Sequence, residues 1–186
     1  MSTIRIALSG AVYGLAILAS PATANERVPA TIDWPQAQSD IRADEKLEPD
    51  TVRLLRSAPP LQRTLDRIAL PVLIPEQEDM AAAPALLEQG SAYAADYALD
   101  GADLVVLGSA SAIAVDAGAP LSKLLGTGGE PYRFESYEYG ADLSFVRYGA
   151  SYVLRLSCDA IDDSRCRDDD FLRAIAGDLV AVGGQP

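Results

Sequence analysis

Alternating apolar and polar residues define the clearest feature of the sequence, a pair of strands over residues 141–158. A two-residue turn at Gly149-Ala150 places Phe145 opposite Leu154 and keeps the apolar residues of both strands on one face. Glycine in the first turn position suits a type II′ turn, whose twist matches that of the strands it joins. The pattern therefore predicts a central β-hairpin in an antiparallel sheet.

Other segments with this alternation, or with short apolar runs between turn residues, predict further strands. The dipeptide Asp100-Gly101 is a strong turn signal and joins two of these strands into a second hairpin. Residues 132–139 are rich in aromatic side chains and are expected to pair with the central hairpin. The remaining predicted strands cover residues 70–75, 91–99, 103–107 and 111–116.

Helical spacing of apolar residues is clearest near the C-terminus. Aspartates at residues 168–170 crowd the start of this segment, where the helix dipole favours negative charge. The apolar stripe that follows consists of Phe171, Leu172, Ile175, Leu179 and Val182, and Gly183-Gly184 ends it. Shorter helical segments are predicted at residues 50–55, 61–68, 76–89 and 121–125. The predicted fold class is α+β, a small antiparallel sheet of hairpins with a C-terminal helix packed on it.

Residues 1–24 have the features of a secretory signal peptide. Arg5 precedes an apolar run, and Ala22-Thr23-Ala24 supplies the small-x-small pattern after which a signal peptidase cuts. The run is shorter and more interrupted than the about 20 apolar residues that span a membrane. We therefore expect export without membrane insertion, to the periplasm or the medium.

The remaining chain divides by composition. Residues 25–60 are polar and proline-containing, and we interpret them as an arm or linker that Trp34 pins to the body of the protein. Residues 61–186 are predicted to form a single α+β domain, which is long enough to bury an ordinary core.

Charge and cysteine content narrow the possible functions. The chain has 27 acidic and 15 basic residues, a net charge of −12, which argues against binding to nucleic acid or to anionic lipid. In an oxidising compartment the two cysteines, Cys158 and Cys166, are expected to form a disulfide bond. Their spacing differs from the C-x-x-C of oxidoreductases.

The absence of histidine excludes several catalytic mechanisms and metal sites. This excludes Ser-His-Asp and Cys-His catalysis and removes the commonest zinc ligand. The glycine-rich residues 126–129 lack the spacing of a phosphate-binding loop. The sequence therefore predicts no catalytic residue, no metal site and no cofactor.

Aromatic residues on adjacent predicted strands are the best candidates for a binding surface. Tyrosine combines an apolar ring with a polar tip, so it suits both a packed sheet and a recognition surface. The positions proposed for binding are Tyr137, Tyr139 and Tyr152.

The sequence thus favours an exported, soluble bacterial protein that is not an enzyme and binds an envelope protein or polymer. One alternative is a hydrolase of an envelope polymer that uses two of the carboxylates as acid and base. The other is a calcium-responsive module, because oxygen-rich loops suit calcium. Its ligands would come from Asp159, Asp162, Asp163, Asp168, Asp169 and Asp170, although Arg165 and Arg167 lie among them and are expected to pair with these aspartates.

The cleavage pattern makes export testable. N-terminal sequencing of the exported protein should give Asn25 as the first residue, because Ala22-Thr23-Ala24 is the well-placed cleavage site after the apolar run. Recovery of the intact chain, still starting at Met1, in a membrane fraction would contradict this prediction.

Overall fold

The computed structural model describes residues 27–44, 59–77, 80, 84–113 and 132–186. The helices in these ranges are α1 (Trp34–Asp44), α2 (Pro59–Leu65) and α3 (Asp170–Gly177). The strands are β1 (Arg27–Pro29), β2 (Val72–Pro75), β3 (Ala85–Gln89), β4 (Ala92–Leu99), β5 (Ala102–Ser109), β6 (Ser111–Ile113), β7 (Arg133–Tyr137), β8 (Gly140–Arg147), β9 (Ala150–Cys158) and β10 (Leu179–Gly183). The predicted signal segment, the helical segments at residues 50–55 and 121–125, and the glycine-rich residues 126–129 lie outside the described residues.

Six strands form the main sheet in the order β3-β4-β5-β9-β8-β7, and every neighbouring pair is antiparallel. Each half of the sheet is a three-stranded meander, and the β5–β9 pair joins the two halves. The meander turns have two residues each, and one of them is the predicted Asp100-Gly101. The α+β class with an antiparallel sheet of hairpins is confirmed.

The β8–β9 hairpin forms, but its turn lies one residue earlier than predicted. Phe145 pairs with Tyr152, not with Leu154, and the two rings stack with centroids 5.5 Å apart. The turn residues Tyr148 and Gly149 have φ angles of 51° and 79°. Positive φ at both positions is what a type I′ turn requires, so the predicted type II′ turn is wrong. The same residues still share a face, because the strands slip by two residues and side chains alternate with a period of two.

The buried face of the main sheet forms the core. In β4 the alternating Tyr93, Ala95 and Tyr97 are buried, as their spacing predicts. Each Å² of apolar surface that this set removes from water stabilises the fold by roughly 25 cal/mol. The neighbouring strands contribute Leu104, Val106, Leu143, Phe145, Leu154 and Leu156 to the same cluster.

Tyrosine hydroxyls connect this buried face to β2. The hydroxyl of Tyr93 accepts a hydrogen bond from the N–H of Leu73 at 2.8 Å and donates one to its carbonyl at 3.3 Å. The hydroxyl of Tyr152 donates to the carbonyl of Pro71 at 2.7 Å. Antiparallel β10 pairs with β2 to form a separate two-stranded sheet. Side chains of the main sheet thus satisfy backbone groups of β2 and of the residue before it.

The C-terminal segment is a helix followed by a strand. Helix α3 starts at Asp170, close to the predicted position, and ends at Gly177. Leu179 and Val182, predicted as helical, lie in β10. A run of apolar residues buried on both sides fits a strand as well as a helix, and pairing with β2 decides between them. Residues Leu172, Ile175 and Ala176 of α3 join the core, but the predicted packing of a C-terminal helix across the sheet is not confirmed.

Residues 85–89 are the second correction to the predicted helices. The sequence pattern predicts a helix over residues 76–89, whereas β3 runs antiparallel to β4, with Leu86 opposite Ala95. Helical propensity is weak and is overridden here by pairing with a neighbouring strand.

The predicted arm contains β1 and α1. Strand β1 pairs with β6, and the N–H of Asp33 donates to the carbonyl of Tyr148 at 2.9 Å. Trp34 lies against Gly184, where an added Cβ would come within 3.2 Å of the indole ring. No helix among the residues described here is long and apolar enough to cross a membrane.

Two tyrosines in the same strand are expected to differ in the effect of removing the hydroxyl. Tyr93→Phe should lower the free energy of unfolding by about 1–3 kcal/mol, because it leaves buried backbone groups of Leu73 unpaired. Tyr97→Phe should change it by less than about 0.5 kcal/mol or raise it, because the buried Tyr97 hydroxyl has no hydrogen-bond partner among the described residues. Urea denaturation of both variants tests this, and equal losses would contradict it.

Candidate functional site

Two of the three proposed tyrosines lie together at one corner of the main sheet. Tyr137 is the last residue of β7, and Tyr139 is the second residue of the turn that leads to β8. Their side chains are 48% and 53% exposed. The carbonyl of Tyr139 accepts a hydrogen bond from the N–H of Cys158 at 2.9 Å, so the end of β9 holds the turn in place.

Tyr152, the third proposed binding residue, lies elsewhere. It is 1% exposed, and its ring stacks on Phe145 in the core. Residues at even positions of β9 face the core, and the apolar partners predicted for this strand already pointed to that side. Tyr152 is therefore a core residue and does not belong to an exposed binding surface.

A polar cluster supports Tyr137. The guanidinium of Arg155 donates to both carboxylate oxygens of Asp142, at 3.0 and 2.7 Å, and the Tyr137 hydroxyl donates to the same carboxylate at 3.3 Å. The hydrogen bond and the charge of Asp142 raise the pKa of Arg155. Partial burial, together with the charge of Asp142, raises the pKa of Tyr137. The ring also lies over Gly140, where a Cβ would come within 2.5 Å of it. Tyr137 is thus positioned across the strand pair by Asp142 and Gly140.

A disulfide-closed loop forms the opposite side of the corner. Cys158 and Cys166 are bonded, with 1.97 Å between sulfurs and 6.5 Å between Cα atoms. Within this loop the Asp163 carboxylate accepts hydrogen bonds from the backbone and the side chain of Arg165. The hydrogen bond from Arg165 lowers the pKa of Asp163. The Arg165 guanidinium also donates to the carbonyl of Asp100 at 3.0 Å, which ties the loop to the β4–β5 turn.

The loop exposes one large apolar side chain. Ile161 is 52% exposed, and its carbonyl accepts a hydrogen bond from Arg167 at 3.1 Å. A groove of about 310 Å³ runs between the loop and the β7–β8 turn. It is lined by Ser136, Tyr137, Glu138, Ile161, Cys166 and Arg167. We call the surface formed by the two exposed tyrosines, Ile161 and this groove the tyrosine corner. The name refers only to this surface and not to the tyrosine motif of Greek-key proteins.

Ile161 and Arg167 were not among the binding residues predicted from the sequence. Ile161 is the one large apolar residue between the cysteines of an otherwise polar loop, and that isolation is the signal that could have identified it. The position of Arg167 depends on the conformation of the loop, for which the sequence offers no periodic pattern. Arg165 pairs with an aspartate, as expected from the charges in this segment.

The hydrolase and calcium alternatives both depend on the placement of carboxylates. Among the described residues no charged side chain is buried, and no three acidic or cysteine residues are placed to hold a metal ion. Asp169, one of the predicted calcium ligands, forms an ion pair with Arg173, which lies one helical turn away.

Comparison with known proteins gives no family assignment: the chain matches no protein-family model, no curated protein and no solved structure.

The burial difference between the tyrosines gives a direct stability test. Tyr139→Ala should change the free energy of unfolding by less than about 0.5 kcal/mol, and Tyr137→Ala by up to about 1 kcal/mol, because Tyr137 forms a cross-strand contact. Tyr152→Ala should cost about 3–5 kcal/mol, because it leaves a cavity in the core. Thermal and urea denaturation of the three variants provide the comparison. A large loss for Tyr139→Ala would show that this ring is structural.

Proposed function

We propose that this chain is an exported, non-catalytic binding protein that attaches to an envelope protein or polymer through the tyrosine corner. The observation that carries the proposal is that two exposed large side chains, Tyr137 and Ile161, line one groove, and that the exposed Tyr139 lies in the turn beside it. Tyrosine is enriched at the centres of protein interfaces because its ring covers a large area with few rotatable bonds.

The backbone supporting these side chains is held before any partner arrives. One side of the groove is a two-residue turn bonded to Cys158, and the other is a loop closed by a disulfide bond and anchored to Asp100. Binding therefore requires little ordering of the surface, and ordering is one of the main costs of association. This rigidity supports a recognition role for the corner.

The disulfide bond also supports the proposed location. Structural disulfides persist in oxidising compartments and are rare in the cytosol. Cys158 and Cys166 are both buried, so the bond belongs to the folded core as well as to the loop. Together with the predicted signal segment, this favours a periplasmic or secreted protein.

The hydrolase and calcium-responsive alternatives have no comparable support. The carboxylates of the described residues lie at the surface, and Asp142 and Asp163, which flank the tyrosine corner, are occupied by arginine side chains. A general acid needs a raised pKa, whereas the hydrogen bond from Arg165 lowers that of Asp163. We therefore propose binding as the function.

Photocrosslinking from the tyrosine corner tests this function. A photoreactive phenylalanine analogue at position 139 should give crosslinked adducts with envelope material, and Tyr137→Ala in the same protein should reduce their yield at least about tenfold, as expected for a residue at the centre of an interface.

The matched control carries the same analogue at position 87, in edge strand β3 on the far side of the main sheet. Leu87 is the most exposed large apolar residue of the described chain, at 68%. Equal crosslinking from positions 87 and 139 would indicate nonspecific adhesion. No adducts from position 139 would contradict the proposed surface.

A further inference from the structure

Strand β7 lies at one end of the main sheet, so one of its two edges faces away from β8. No other described strand pairs with that outer edge. An unpaired edge presents a row of backbone donors and acceptors, which another chain can use to add a strand. The tyrosine corner lies at the end of this same strand.

The turn identifies which backbone groups point outward. Tyr137 and Gly140 close a two-residue turn, so their backbone groups bond across the hairpin. Hydrogen-bonded and non-bonded pairs alternate along antiparallel strands. It follows that Glu135 bonds inward to β8, whereas the N–H and C=O groups of Phe134 and Ser136 point to the outer edge.

The outer edge is continuous with the groove. Ser136 supplies outward backbone groups and also lines the groove, together with Tyr137 and Ile161. A peptide paired with β7 would therefore place one of its alternating side chains next to the groove. Backbone pairing would supply affinity, and the groove would supply specificity.

Local charges around the edge are balanced in pairs. Arg133 pairs with Glu135, and Arg155 pairs with Asp142. Glu138 and Arg167 line the groove with opposite charges. The long-range field is therefore set by the net charge of −12, which attracts cationic partners.

We propose that the tyrosine corner binds an extended, basic peptide segment, which adds as a strand to the outer edge of β7. This inference rests on the proposed binding function and narrows the partner to a polypeptide with Lys or Arg and at least one large apolar side chain. A polysaccharide partner would use the tyrosines without needing the backbone groups of Ser136.

Proline substitution at an edge position separates backbone pairing from side-chain contact. Ser136→Pro removes an outward N–H and leaves the bonds between β7 and β8 in place, since proline is tolerated where the N–H of an edge strand faces solvent. Glu88→Pro is the control on the opposite edge strand β3, where the substitution also removes an ion pair with Arg67. Glu88 also stands immediately before the residue that closes a two-residue turn.

The probe is a phage-displayed library of random linear peptides, selected on the purified protein. We expect enrichment of peptides with basic residues and a large apolar residue, and weaker binding at higher salt. Ser136→Pro should lower the affinity of a selected peptide about tenfold, and Glu88→Pro should leave it unchanged within about twofold. Failure to enrich any peptide, enrichment of acidic peptides, or equal binding to Ser136→Pro would overturn the proposal.

Amide hydrogen exchange of the unsubstituted protein gives a test that does not depend on the folding of a variant. The selected peptide should slow exchange at Phe134 and Ser136, and unchanged exchange at both would contradict strand addition. Loss of crosslinking in Tyr137→Ala combined with full peptide binding to Ser136→Pro would leave the proposed function standing and exclude this mode of binding. Absence of corner-specific crosslinking would contradict the proposed function itself.

Discussion

The fold depends on how the main sheet satisfies the backbone around β2. The N–H and C=O of Leu73 and the carbonyl of Pro71 are hydrogen-bonded to the hydroxyls of Tyr93 and Tyr152 in the interior. Leaving such groups unpaired in a dry core costs about 1–3 kcal/mol each, a large fraction of the stability of a domain. Tyrosine is the residue that fills this space with apolar volume and still places a hydroxyl at its far end.

This constraint gives the tyrosines of the chain two different roles. Tyr93 and Tyr152, at buried positions of the sheet, connect to the backbone around β2 through their hydroxyls, whereas the buried Tyr97 hydroxyl has no partner among the described residues. Tyr137 and Tyr139 lie where the sheet ends and are exposed, and the Tyr137 hydroxyl donates to the surface carboxylate of Asp142. The same type of side chain that joins the main sheet to β2 in the interior therefore provides an exposed amphipathic surface at the corner.

The sequence predicted what depends on local chemistry. Asp100-Gly101 identified a turn, the alternation around Tyr93 identified a buried face, and the pairing of Cys158 with Cys166 followed from their number. What it could not predict depends on distant partners. Leu179 has helical spacing but lies in β10, where it pairs with Pro75 of β2. Leu86 is in a strand because β4 lies beside it.

The candidate site shows the same division. Exposure of Tyr137 and Tyr139 agrees with a surface role, but Tyr152 was grouped with them although it alternates with Leu154 on the apolar face of its predicted strand. The shift of the turn from Gly149-Ala150 to Tyr148-Gly149 was also not predicted. The observed turn requires a positive φ at Tyr148, and residues other than glycine rarely adopt positive φ. Ile161 required the path of the disulfide loop, which no periodicity encodes.

The β5–β9 pair has a consequence for how the chain assembles. Each meander is built from neighbours joined by two-residue turns, so its contacts are local and can form rapidly. Joining them brings Ser109 next to Ser151 and closes the whole connection that contains β6, β7 and β8. That closure costs conformational entropy, and the cost is offset only when β5 and β9 pair in the correct register. We therefore expect the two meanders to form before the core does, with their docking as the slow step of folding.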